Sequence, residues 1–269
     1  MKLSRLAAFS SSLLLGAVLA LTGAVTASAA ASVQGVDYVA LGDSYSSGVG
    51  SGSYDSASGD CKRSSKAYPA LWAAANSPAS FSFAACSGAR TGDVKSGQLG
   101  PLSSATDLVS ISIGGNDAGF ADVMTTCVLQ SEATCLSRIN TARSFVDTTL
   151  PGNLDSVYSA IRAKAPSARV VVLGYPRFYQ IGGSCVVGLS DKVRTAINSA
   201  SDYLNAATAK RAANHGFTYV DVAGKFSGHE ICSGNAWLHS VNWLNIGESY
   251  HPTATGQASG YLPAFKSAA

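Results

Sequence analysis

The chain has 269 residues, enough for one domain or two and for a sizeable core. Its formal net charge is +3, and two of those positive charges, Lys2 and Arg5, lie at the very start, leaving +1 beyond them. That balance gives no electrostatic case for nucleic acid, whose binding is carried by Lys and Arg, and the 13% of charged residues, against a usual ~25%, suits apolar or interfacial substrates, although composition carries little weight alone.

The first residues read as a targeting segment. Lys2 and Arg5 form a basic start, residues 6–21 are an Ala/Leu-rich apolar stretch, and Ala27-Ser28-Ala29 is a small-residue cleavage signal. The apolar stretch is short for a membrane span, so the reading is a secretory signal peptide rather than an anchor. Cleavage is expected between Ala29 and Val33. Residues 1–33 are then the signal and processing region, and 34–269 a single domain released outside the cell.

Strand one is expected over residues 36–41. Gly42-Asp43-Ser44-Tyr45 follows it, then a Ser/Gly-rich loop over 46–59 that is expected to be mobile. A helix over 66–76 precedes strand two at 81–85, after which comes Cys86-Ser87-Gly88-Ala89. Strand three, 108–113, runs into Gly114-Gly115-Asn116-Asp117. A helical stretch over 136–164, broken near Pro151-Gly152, leads to strand four at 169–173 and then to Tyr175-Pro176. The helix over 191–215 places Val193, Ile197, Ala200, Leu204 and Ala207 on one face. Strand five is expected at 217–222, followed by Glu248-Ser249-Tyr250-His251-Pro252 and a last helix over 256–266. Several strand runs are continuously apolar, as in parallel strands covered on both faces. Alternating strands and helices give an α/β fold, a three-layer α/β/α sandwich. No internal repeat or linker divides it.

Three polar blocks follow the ends of strands one, two and three, and a fourth follows strand five. They can therefore meet at the carboxyl edge of the sheet, where open α/β sheets bind ligands. Ser44 has the placement of a nucleophile and His251 that of its general base. Oxyanion donors would be the backbone N–H groups of Ser44 and Gly88 and the side-chain amide of Asn116. Each residue also has a plainer reading. Ser44 and Asn116 can cap helices, Gly88 can be a turn glycine, and His251 a surface loop residue. The order of the blocks favours the chemical reading.

Those blocks resemble the SGNH, or GDSL-type, hydrolases. The combination of Gly-Asp-Ser-Tyr-Ser-Ser-Gly, Cys-Ser-Gly-Ala, Gly-Gly-Asn-Asp and six cysteines is closest to secreted actinomycete GDSL lipases and phospholipases A1. The resemblance implies a flavodoxin-like five-stranded parallel sheet and a serine ester hydrolase that needs no cofactor or metal. It also implies lipid substrates, met at membrane or micelle surfaces, and the expected state is a monomer. The family often carries Asp three residues before the histidine, where this chain has Glu248. In the actinomycete branch a main-chain carbonyl replaces that acid. The two candidates for orienting His251 are therefore the Glu248 carboxylate and the Ser249 carbonyl, and the carbonyl is favoured.

An even number of cysteines in an exported chain implies disulfides, with ~15 possible connectivities. The favoured pairing is Cys61–Cys86, Cys127–Cys135 and Cys185–Cys232, each of which would hold a catalytic loop. A zinc site at His229, Cys232 and His239 is the rival, but its spacing matches no standard finger. His215, His229 and His239 are otherwise read as structural or exposed. Trp237, Trp243 and Leu244 either line an acyl groove, touch a lipid surface or pack in the core, the last being slightly favoured. Phospholipase A1 activity is the first expectation. Triacylglycerol lipase or general esterase is second, and polysaccharide deacetylase third. The reading from another class is a non-catalytic lipid- or glycan-binding protein.

Overall fold

A computed structural model of the chain describes residues 35–185 and 188–269. The segment read as signal peptide and its cleavage region lies outside the described residues. Five parallel strands form the sheet: β1 (Asp37–Gly42), β2 (Ser80–Phe83), β3 (Leu108–Ser112), β4 (Arg169–Leu173) and β5 (Thr218–Val220), in the order β2-β1-β3-β4-β5. The register pairs Ala40 with Phe83 on one side and with Ser110 on the other, and Val172 with Tyr219. β3 is buried along its whole length and β4 from Val170 onward, which explains their continuous apolar runs. The expected α/β/α sandwich is the observed fold.

Eight α-helical segments are described around the sheet: α1 (Ser44–Ser47), α2 (Tyr68–Asn76), α3 (Thr91–Asp93), α4 (Phe120–Leu129), α5 (Glu132–Thr148), α6 (Leu150–Lys164), α7 (Asp191–Asn214) and α8 (Leu262–Lys266). α2 and α8 cover one face through an aromatic cluster in which Tyr38 of β1 meets Trp72 and Phe265. α6 buries Leu150, Leu154, Val157, Tyr158 and Ile161, a helical stripe, and packs beside α7, which also meets β5. On α7 the expected stripe is offset. Val193, Ile197 and Leu204 are buried, but Ala200 and Ala207 only partly, because the buried face also carries Asn198 and Asn205. Those two amides bind backbone groups of residues 175–179, which explains polar residues in a buried stripe.

The differences from the sequence reading are local. The long helical stretch breaks at Thr149, with Pro151 inside the first turn of α6 where its missing N–H costs nothing. The sequence pattern does not signal α4, since Val123, Thr125, Thr126, Cys127 and Val128 give it weak helical propensity. The last helix opens as a π turn over Gly256–Tyr261 before α8. The segment 46–59 is packed into the fold over its first half, residues 46–51, and exposed over most of the rest. Ser46, Ser47, Val49, Ser51 and Ser58 are buried, Tyr54 pairs with Ser64, and the Ser56–Cys61 turn is tied by the Cys61–Cys86 disulfide. Cys127–Cys135 joins α4 to α5, and Cys185–Cys232 joins the two loops that follow β4 and β5.

Candidate active site

Ser44 opens α1 directly after β1. Asp43 caps that helix, accepting a bond of 3.0 Å from the Tyr45 N–H, and Gly48 closes it in the left-handed region. Gly42 permits the turn: its φ is +121°, and a Cβ there would stand 2.5 Å from the Ser112 carbonyl oxygen. Gln98 holds the same glycine from outside the sheet. Its amide accepts from the Gly42 N–H at 2.8 Å and donates to the Gly42 carbonyl at 2.9 Å.

The Asp43 carboxylate is buried and takes three donors, the Tyr45 N–H, the Ser112 hydroxyl and the Tyr175 hydroxyl. Burial pushes its pKa up to about 6, and the hydrogen bonds limit the rise. Tyr175 stands just past β4, and its oxygen also accepts the Gly115 N–H at 3.1 Å. One phenol thus joins the Asp43–Ser44 turn to the loop after β3. Asn205 fixes the Tyr175 backbone through two bonds.

His251 arrives from the other side on a short antiparallel ladder. His239 and Tyr250–His251 exchange backbone bonds of 2.9 and 3.0 Å, and Leu238 bridges to Pro252. The imidazole Nε2 lies 2.8 Å from Ser44 Oγ, and Nδ1 lies 3.0 Å from the Ser249 carbonyl. A carbonyl only accepts, so Nδ1 carries the proton and the Nε2 lone pair faces the serine hydroxyl. Burial lowers the His251 pKa from 6.5 to about 4, the Ser249 carbonyl opposing the shift. The ring is therefore neutral near pH 7 and able to accept a proton. Tyr45 completes the frame: its ring centre is 5.2 Å from that of His251, and its hydroxyl donates to the Tyr250 carbonyl at 2.7 Å.

Of the two candidates for orienting His251, the Ser249 carbonyl makes the contact. Glu248 is turned away, and its Oε1 accepts the Tyr54 hydroxyl at 2.8 Å. The three oxyanion candidates lie on the loops after β1, β2 and β3. Among the described residues the N–H groups of Ser44 and Gly88 donate to no protein acceptor. The Gly88 φ is +77°, while a Cβ there would meet nothing within 4 Å, so backbone conformation rather than crowding explains this glycine. The Asn116 amide gives one hydrogen to the Ala89 carbonyl at 3.0 Å and keeps another. Asp117 accepts the N–H and hydroxyl of Thr91, which ties the loop after β3 to the loop after β2.

The other histidines have structural partners. His215 meets Asp155 at 3.0 Å, His229 stacks on Trp237 with ring centres 3.6 Å apart, and His239 Nε2 contacts the Gly50 carbonyl at 2.7 Å. The zinc rival fails because Cys232 is bonded to Cys185. Among the described residues no group of three or more His, Cys, Asp or Glu is arranged to hold a metal. Core packing, favoured for the aromatic segment before His251, holds for Trp237 alone, which packs against the core. Trp243 is 70% exposed and Leu244 fully so.

A narrow apolar cavity of about 70 Å³ runs from Asp43, Gly115 and Asn116 to the space among α4, α5 and α7. Phe120, Met124, Val146, Phe178 and Leu204 line it. Sequence reading names Ser44, Gly88, Asn116, Ser249 and His251 as candidates but not Tyr175, Gln98 or Tyr45 as supports. Tyr175 has one available signal, its place at the carboxyl end of a parallel strand. Gln98 and Tyr45 have none, since their roles depend on contacts between distant loops.

Residues 40–258 match the GDSL-like lipase/acylhydrolase family. The chain is 70% identical to Lipase 1 of Streptomyces coelicolor over 269 residues, covering all of both chains. It is 70% identical to a phospholipase A1 of Streptomyces albidoflavus NA297, whose crystal structure superposes with a TM-score of 0.86 over 87% of this chain and all of that one. An extracellular lipase of Streptomyces rimosus is 66% identical, with a TM-score of 0.85 over the same shares. A strand-end serine, a histidine 2.8 Å away and a family match across most of the sheet converge: the chain belongs to the GDSL-like lipase/acylhydrolase family.

Proposed function

We propose that this protein is an exported serine ester hydrolase of lipids, acting as a phospholipase A1 that frees the sn-1 fatty acid of glycerophospholipids. The observation that carries the chemistry is the relay from the Ser249 carbonyl through His251 to Ser44, with contacts of 3.0 and 2.8 Å. His251 Nε2 takes the Ser44 proton as Ser44 Oγ bonds to the ester carbonyl carbon. The negative charge on the carbonyl oxygen meets the free N–H groups of Ser44 and Gly88 and the remaining Asn116 N–H. The protonated His251 then gives its proton to the departing glycerol oxygen as the ester bond breaks. A water, deprotonated by the same ring, cleaves the acyl-serine and returns Ser44 with its proton. These steps call on no cofactor. The Ser249 carbonyl is a positioning group for His251 in this scheme.

The apolar cavity beside Gly115 and Asn116 suits an acyl chain next to the reacting carbonyl. The substrate reading is supported by the relative named as a phospholipase A1, and export by the three disulfides and by the relative named as extracellular. Residues 1–33 serve as the removed signal region and 34–269 as the one catalytic domain. Two relatives named as lipases favour a second reading, hydrolysis of triacylglycerol or simpler esters by the same residues.

The test is product analysis on phosphatidylcholine with different acyl chains at the two glycerol positions, with chelator present and Ser44→Ala as control. Early release of the sn-1 chain, lost in the variant, supports the phospholipase A1 reading. No release, with turnover of triacylglycerol or simple esters, moves the substrate to the second reading and keeps the serine chemistry.

A further inference from the structure

Seven large apolar residues stand exposed among the described residues, and three of them, Trp243, Leu244 and Ile246, fall within four positions. They are 70%, 101% and 63% exposed. They occupy the tip of the excursion whose two legs form the ladder that holds His251. From Ala236 to Gly247 the sequence holds no Asp, Glu, Lys or Arg. An uncharged tip with this much apolar surface has no folding rationale, because among the described residues nothing covers Leu244.

The tip is also closed on itself. The Asn242 N–H donates to Ser249 Oγ at 2.8 Å, and the Asn242 side chain accepts from the N–H groups of Leu244 and Asn245. The N–H groups of Asn245, Glu248 and Ser249 bond to carbonyls within the loop. Five of the eight backbone N–H groups from Asn242 to Ser249 are thus satisfied before any partner arrives, which lowers the cost of approaching an apolar phase, while those of Trp243, Ile246 and Gly247 have no protein acceptor among the described residues. Beside the tip the Lys62 ammonium lies 3.5 Å from where a Cβ on Gly247 would stand. A cation next to an indole and two aliphatic side chains matches the phosphate and acyl layers of a phospholipid surface. The exposed apolar area of three side chains is on the order of a few hundred Å². That is short of the ~800 Å² each partner gives to a stable protein interface, and enough for reversible insertion into lipid.

We propose that the 242–247 tip is a docking wedge that seats the protein on a phospholipid surface, with Trp243, Leu244 and Ile246 inserted and Lys62 at the phosphate level. The tip is joined to the Ser249 carbonyl and His251 by the loop's own hydrogen bonds, so docking brings the Ser44–His251 pair to the lipid surface. This rests on the lipid-hydrolase reading above for its purpose, but not for its measurement.

Binding is read with Ser44→Ala protein, so that vesicles stay intact. Mature Ser44→Ala is floated with phosphatidylcholine vesicles, alone and with Trp243→Ser, Leu244→Ser and Ile246→Ser added. The expected result is at least about tenfold weaker vesicle binding in the combined variant, together with a blue shift of tryptophan emission on vesicles that is lost with it. With Ser44 restored, the combined variant is expected to lose about tenfold in rate on vesicles while hydrolysis of a water-soluble short-chain ester stays within about twofold. Equal vesicle binding by the two proteins would overturn the proposal. So would equal losses on vesicles and on the soluble ester, since the tip would then act through His251. A self-associated protein that the three substitutions dissolve would overturn it too and assign the tip to a second copy. If the wild type bound vesicles through the tip yet cleaved no phospholipid, docking would stand and the phospholipase reading would fall.

Discussion

Ser44 and His251 reach their 2.8 Å contact from unlike surroundings. The serine side is buried and over-determined. Gly42, Asp43, Ser46, Tyr68, Gln98, Ser112 and Tyr175 form a connected set of bonds between strand ends, several of them through side chains with no exposure. The histidine side is a two-legged excursion whose legs mix buried residues (Leu238, Ser249, Tyr250) with half-buried ones (His239, His251), and whose apolar tip lies in solvent. The difference divides the labour. In the proposed mechanism, strand ends fixed by the sheet place the nucleophile and oxyanion donors to the precision catalysis requires, while the excursion brings the base and leaves its apolar tip exposed.

If that division holds, changes on the two sides should fail in different ways. The largest effect is expected for Ser44→Ala, with kcat on a soluble ester falling on the order of 10⁶-fold and the melting temperature little changed. Retained activity in folded protein would show that another group is the nucleophile. Next comes Tyr175→Phe, which keeps the ring but drops the bonds to Asp43 and Gly115. It should lower kcat about 10–100-fold with KM nearly constant, because the loop after β3 then misplaces Asn116. A change in KM alone would break the link between Tyr175 and the oxyanion loop.

A pH profile sharpens the same contrast. With the His251 pKa near 4 rather than 6.5, the neutral ring persists as the medium is acidified. kcat/KM on a soluble ester should therefore keep its main acid limb near pH 4, below which His251 is protonated and cannot accept the serine proton. Asp43, raised by burial to about 6, takes up its own proton earlier and contributes a smaller step. A main limb near 6.5 that survived Asp43→Asn would contradict a buried neutral histidine. The smallest effect is expected for Glu248→Gln, within about twofold to threefold in kcat, since this carboxylate bonds Tyr54 and not the imidazole. A collapse in rate with intact structure would return the orienting role to Glu248.

The strands are legible in the sequence through their apolar runs and the site through four short blocks, because both are local patterns. Arg169–Leu173 is bounded as expected, and the other strand ends agree to within two residues. What stays hidden depends on distant contacts. Tyr175 reads as an ordinary residue after a strand until β1 and β3 bring Asp43 and Gly115 to its hydroxyl. The burial of 46–51 is invisible in a Ser/Gly-rich stretch, since the packing of Gly50 against His239 and His251 comes from far along the chain. Trp243 and Leu244 carry the opposite lesson. Apolar composition argues for the core, and only the closed turn around Asn242 shows why their side chains face outward.

The serine–histidine pair itself is best tried by covalent trapping. Mature protein is treated with an alkyl phosphonate ester and digested for mass spectrometry, beside Ser44→Ala and His251→Ala. One phosphonyl group on the Ser44 peptide is expected, absent from Ser44→Ala and formed far more slowly in His251→Ala. Well-folded protein that takes no label, or takes it elsewhere at the same rate in Ser44→Ala, would contradict Ser44 as the nucleophile and favour a binding protein on the same fold.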